Sequence, residues 1–185
     1  MYVYKTPHHP DYQTDRDERM VNVALATAAA PTYFRPLEHG GYVLVDGGVW
    51  ANNPVMLAVI EAMTAFNVDQ TQIDVLSIGC GDDPYKVSRA QVRWGGKLFW
   101  CDTLFAAMHL QSLSVVNQAR LLLSPPNVIR IDAPTNEHKL ALDDWKRAVE
   151  QLVPEGQAAA EAHRAAIADK FMRQPADVFV PSPIR

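Results

Sequence analysis

The chain has 185 residues, a net charge of −4 and 48% hydrophobic residues, enough for one buried core of ordinary globular balance. No basic stripe or block of like charge occurs, which argues against a nucleic-acid partner. The two cysteines, Cys80 and Cys101, form no C-x-x-C, which argues against a disulfide framework and fits a reducing compartment.

Residues 1–20 are polar and rich in Pro, His and Asp, and carry no signal-peptide pattern. A cytoplasmic setting is the resulting expectation, although a parent chain could carry a leader elsewhere. Tyr2, Val3 and Tyr4 predict a short strand over Met1–Lys5. Residues 6–16 read as loop. His8 and His9 stand there without a cluster of further ligands, so solvent exposure is expected rather than a metal site. Helix periodicity runs from Asp17 through Val21, Ala24, Leu25 and Ala28, and Pro31 ends it. Residues 35–41, with His39-Gly40-Gly41, are expected to be loop.

The next stretch is Tyr42-Val43-Leu44-Val45-Asp46-Gly47-Gly48-Val49-Trp50-Ala51-Asn52-Asn53-Pro54. An apolar, β-favouring run leads directly into an acid. Gly47 and Gly48 permit a tight turn with nothing bulky beside the carboxylate. Asn53 and Pro54 read as an N-cap and first helical position, opening a helix to about Phe66. Asp46 is thus held at a strand–turn–helix corner, either as a catalytic acid or as a cap of its own turn.

Ile73–Ile78 is a nearly continuous apolar run, which predicts a parallel strand buried on both faces. Gly79-Cys80-Gly81-Asp82-Asp83-Pro84 turns the chain, and residues 85–96 read as loop. Lys97 to Leu123 carries the longest helical pattern; Asp102, His109, Gln111, Asn117, Gln118 and Arg120 interrupt it too often for a membrane span. Trp94, Phe99 and Trp100 could touch a membrane surface, but a core role is preferred. Pro125-Pro126 ends the helix and Asn127–Ile131 is a last strand. Asp143–Val149 is helical, and Pro154 starts a further Ala-rich helix to about Arg173. No repeat or internal linker divides residues 1–185, so a single domain is expected.

Three stretches together resemble the patatin-like phospholipase family: Ala24-Leu25-Ala26-Thr27-Ala28-Ala29-Ala30-Pro31-Thr32-Tyr33-Phe34, the Asp46-Gly47-Gly48 turn, and the Asn52-Asn53-Pro54 corner. They come in the family's order and at about its spacing. Val75-Leu76-Ser77-Ile78-Gly79-Cys80-Gly81 resembles a further family strand end, with Cys80 where Thr is usual. The resemblance covers residues 18–81; residues 82–185 read as a mostly helical extension.

The resemblance implies a three-layer α/β fold with a mainly parallel sheet flanked by helices, here an incomplete patatin-like fold. It implies a lipid acyl hydrolase with a Ser–Asp dyad, acting on phospholipid or other lipid esters without a cofactor or metal. Asp46 carries over as the base, and Gly47 and Gly48 shape its turn. Asn52, Asn53 and Pro54 support the corner. The serine does not carry over: none of the nine glycines pairs with another to give G-x-S-x-G, and no triple-glycine loop occurs. The chain alone is therefore expected to be inactive and to correspond to the C-terminal portion of a patatin-like domain. Peripheral membrane contact and self-association through an exposed sheet edge are further expectations.

Two rival readings stand beside this one. A short chain of this kind could be a non-catalytic lipid-binding or regulatory module. Asp74 to Asp83 also resembles the glycine motif of S-adenosylmethionine-dependent methyltransferases. Against that, Ser77 stands where an acid is usual and Asp83 where a third glycine would fall.

Overall fold

The structure is a computed structural model that describes residues 1–80, 86–94, 96, 103–132, 140, 144–176 and 178. These fall into two compact units, one from the described residues of Met1–Ser77 and Asp83–Arg130, the other from those of Ile78–Asp82 and Ile131–Arg185.

In the first unit the alternating Tyr2-Val3-Tyr4 does not become a strand. The Lys5 N–H that would enter a ladder donates instead to the Asp15 carboxylate at 3.0 Å, and the Tyr2 hydroxyl bonds the same carboxylate. The Tyr2 ring packs on Tyr4 and Tyr42 with centroids 5.0 and 5.1 Å apart. Helix α1 spans Met20–Thr27, starting three residues later than Asp17, and buries Ala26. Small side chains let a helix approach its neighbours closely, and Ala29 just beyond it is buried too.

Residues 35–41 are more than a loop. Strand β1 (Leu37–His39) pairs antiparallel with β2 (Tyr42–Leu44), with Leu37 opposite Leu44. Gly40 and Gly41 form the two-residue connection with φ of +59° and +82°. Two successive positive φ values match the right-handed twist of a hairpin and favour Gly-Gly. The Gly-Gly pair was thus a legible hairpin signal that the loop reading missed.

After β2 come a single turn of helix, α2 (Gly48–Ala51), and then α3 (Val55–Thr64). The α3 cap position is Pro54, one residue later than expected, but the Asn53 side chain still accepts the Val55 N–H at 3.2 Å. Strand β3 is Val75–Ile78. The expected loop over residues 85–96 contains α4, Arg89–Trp94. Its start is a reciprocal Ser88–Gln91 capping box: the Gln91 N–H donates to Ser88 Oγ at 3.2 Å and the Ser88 N–H to Gln91 Oε1 at 2.7 Å. Helix α5 is described over Thr103–Leu123; the expected first turn at 97–102, with Phe99, Trp100 and Cys101, lies outside the described residues. Strand β4, Val128–Ile131, pairs with β3.

The result is α/β, a small parallel sheet flanked by helices, compatible with an incomplete patatin-like fold. A core cluster joins Val55 and Val59 of α3, Ile73, Ala119 and Leu123 of α5, and Val128 of β4. The β3 run is not covered on both faces here. Ser77 is buried, but Ile78, which points to the opposite face of the strand, is 70% exposed.

The second unit carries α6, Trp145–Phe171. One helix replaces the two expected, and Pro154 lies inside it. The Asp144 carboxylate caps it by accepting the Arg147 N–H at 3.3 Å. Asp143 and the Pro-broken tail at 179–185 lie outside the described residues. Among the described residues no helix is long and apolar enough to cross a membrane.

Candidate functional site

Asp46 lies two residues past the end of β2 and is half-buried. Its N–H donates to the Ala29 carbonyl at 3.0 Å, which ties the corner to the chain just after α1. Its Oδ1 accepts the Gly48 N–H at 2.6 Å, and its carbonyl accepts the Val49 N–H at 3.2 Å. The carboxylate therefore sits over the first turn of α2. Among the described residues no hydrogen bond is made to Oδ2.

Of the two glycines, Gly48 is the one in tight quarters. A Cβ on Gly48 would stand 3.0 Å from Asp46 Oδ1, 3.5 Å from Met108 Cε and 3.7 Å from Asn52 Oδ1. A Cβ on Gly47 would stand 3.7 Å from Thr27 Oγ1. The turn is thus enclosed by α1, α2 and α5, with a hydroxyl on one side and a methionine on the other.

Asn53 is 5% exposed and all four of its polar groups are engaged. Its N–H donates to Gln111 Oε1 at 3.1 Å, and its carbonyl accepts from Gln111 Nε2 at 3.2 Å. Its side chain donates to Ser112 Oγ at 3.4 Å and accepts from Val55. Gln111 and Ser112 lie on α5, far along the chain, and no local pattern singles them out.

His39 stands close to Asp46 in sequence but is engaged elsewhere. Its Nε2 lies 2.7 Å from Glu18 Oε2, with Asn22 Nδ2 at 3.4 Å. Hydrogen bonds from Asn22, His39 and the Arg19 N–H hold the Glu18 carboxyl down to about 2. His8 is exposed, as its loop context predicts, and is also engaged. Its ring bonds Glu61 Oε1 at 2.8 Å and stacks on Phe66, and Lys5 joins the same Glu61. His9 faces Asp11 at 3.6 Å. Among the described residues no group of three His, Cys, Asp or Glu could hold a metal ion.

Ser77 Oγ accepts from Arg130 Nη1 at 2.9 Å, and the Gly79 N–H donates to the Ile131 carbonyl at 2.8 Å. The rest of that glycine turn, 81–84, lies outside the described residues. Trp94 is 68% exposed beside Arg93, so it is not core as expected. Arg93 Cζ lies 5.3 Å from the Trp94 ring centroid, a cation–π contact at the surface.

Residues 1–59 match the family model for patatin-like phospholipase. The chain is 30% identical over 146 residues to a cGAMP-activated phospholipase of Escherichia coli, covering 70% of this chain and 41% of that protein. It is 42% identical over 77 residues to a cGAMP-activated phospholipase of Pseudomonas aeruginosa, covering 41% of this chain and 23% of that protein. It is 31% identical over 119 residues to patatin-like protein 2 of Arabidopsis thaliana, covering 52% of this chain and 28% of that protein. No solved structure matches. The chain is thus similar to the patatin-like phospholipase family, whose model matches residues 1–59. It spans less than half the length of these curated relatives.

Proposed function

We propose that this chain supplies the acid half of a Ser–Asp lipid acyl hydrolase. Asp46 is the base that takes the serine proton as the hydroxyl attacks the ester carbonyl. An acyl transfer also needs a nucleophile and donors aimed at the oxyanion. Those belong to a serine-bearing segment outside these residues. The observation that carries this reading is the Asp46 carboxylate, anchored through Oδ1 by Gly48 while Oδ2 makes no hydrogen bond among the described residues. Residues 1–185 then act as the C-terminal portion of one patatin-like domain. The substrate is a phospholipid or other lipid ester met at a membrane surface, and composition favours the cytoplasm.

The test uses the protein translated with its in-frame upstream sequence, assayed on phospholipid vesicles. An upstream G-x-S-x-G and hydrolysis that Asp46→Asn lowers by about 10²–10⁴ support the reading. Asp46→Asn within about threefold of the parent would show that Asp46 is structural. The 185-residue chain alone is expected to leave a fluorophosphonate probe unreacted. Cyclic GMP-AMP enters one arm, because the E. coli and P. aeruginosa relatives carry that activator in their names. A chain that binds vesicles without any serine-bearing partner would favour the non-catalytic module instead.

A further inference from the structure

We propose that Gln111 is the positioning residue of the acid turn: its carboxamide holds the one-turn helix α2 so that the Gly48 N–H points at Asp46. The consequence for catalysis rests on Asp46 being the base; the geometric role does not.

Helix α2 cannot orient itself. It has four residues, begins with glycine, and its cap position, Gly47, offers no side chain. One turn of helix has no independent stability in water, and glycine lowers it further. Its direction must come from outside. Helix α5, 21 residues long, provides it. Met108, Gln111 and Ser112 stand three and four residues apart on α5 and so share one face. Met108 closes on the Gly48 end, where a Cβ would be 3.5 Å from its methyl. Gln111 and Ser112 take the Asn53 end.

The Gln111–Asn53 contact fixes more than distance. One amide donates and accepts against a single residue's N–H and C=O, at 3.1 and 3.2 Å. Two antiparallel bonds between planar groups set both position and tilt. Asn53 is buried, so losing them leaves its N–H and C=O without partners. The stretch from Gly48 to Asn53 is α2 and its final turn, so a tilt at Asn53 is transmitted to the Gly48 N–H. That N–H sets which way the Asp46 carboxylate faces.

The test is hydrogen–deuterium exchange on the 185-residue chain at micromolar concentration, read on peptides spanning α2 and α3. Gln111→Met keeps side-chain length and removes both bonds. Gln111→Glu keeps an acceptor for the Asn53 N–H and removes the donor. Gln118→Met is the control on the same helix, where the amide meets Ser114 at 3.2 Å. In Gln111→Met the α2 peptide is expected to exchange at least tenfold faster while α3 is unchanged. Gln111→Glu should fall between, and Gln118→Met should leave both peptides unchanged. In the protein carrying the serine segment, Gln111→Met should lower kcat about tenfold with KM within twofold.

Unchanged α2 exchange in folded Gln111→Met overturns the proposal, as does equal acceleration in Gln118→Met. If Gln111→Met does not fold, Gln111→Glu decides alone, and unchanged α2 exchange in it is the overturning result. Faster α2 exchange in Gln111→Met with hydrolysis indifferent to Asp46→Asn supports the positioning and overturns the proposed function only.

Discussion

At the scale of single residues, the proposed chemistry turns on the Asp46–Gly48 bond. Gly48→Ala tests it without threatening the fold, because its backbone is not in the left-handed region and alanine favours helix. The new methyl would crowd Asp46 Oδ1 at 3.0 Å, so the flexible carboxylate gives way and leaves its 2.6 Å bond. In the protein carrying the serine segment, hydrolysis should fall on the order of 10- to 100-fold at near-unchanged melting temperature. Steady-state kinetics and a thermal melt check both parts.

The Glu18–His39 pair makes a second prediction at this scale. The Glu18 folded value, about 2, lies below its ordinary carboxylate value. A depressed folded pKa contributes stability that is present above the unfolded value and lost as pH falls through the folded one. The window is therefore about pH 4.5 down to about 2. Side chains 21% and 34% exposed place the pair near the surface, so the effect is small. Glu18→Gln should flatten the fall in melting temperature across that window, measured by scanning melts in acid. An equally steep fall in the variant would show that other carboxylates carry it.

At the scale of elements, α6 contains an internal contradiction. Proline at 154 removes one backbone donor to the residue 150 carbonyl and crowds it, yet the helix runs through. Because the site is exposed, nothing has to be repacked when the ring is removed. Pro154→Ala should therefore raise helicity by circular dichroism and stabilise α6 by up to about 3 kcal/mol. No gain in helicity would mean that the proline sits at a position where the helix is already broken in solution. The hairpin is the converse case, an element whose local chemistry and geometry agree. Gly40 and Gly41 take the positive φ values that a two-residue connection demands.

At the scale of the whole molecule, the buried core is small among the described residues. Val59 is the largest side chain described as fully buried. Meanwhile Met20, Phe34, Val43, Ile78 and Leu121 are between 66% and 87% exposed. Apolar surface of this extent drives association, and β3 pairs with one strand only among the described residues. An unpaired edge recruits further strands. The isolated chain should elute as oligomers in size-exclusion chromatography and bind a hydrophobic dye. A sharp monomer peak with a cooperative melt would refute this and favour an autonomous small domain.

What the sequence by itself determined is what short-range chemistry dictates. The apolar run into Asp46, the glycine pair after it, the Asn53 cap and the Pro31 stop are local preferences, each readable within a few residues. The strands at 75–78 and 128–131 were legible for the same reason, as were α1, α3 and α5. The capping box at Ser88–Gln91 and the Gly40-Gly41 hairpin were equally local and were passed over. Only the tertiary structure decided the rest. Tyr2–Tyr4 has strand periodicity but no ladder partner, so the Lys5 N–H turned to Asp15. His39 could have faced Asp46 but pairs with Glu18 across the start of α1. Gln111 reaches Asn53 from 58 residues away, a contact no window of sequence contains. Periodicity tells a residue which face it occupies, whereas the partner on that face is set by how distant elements pack.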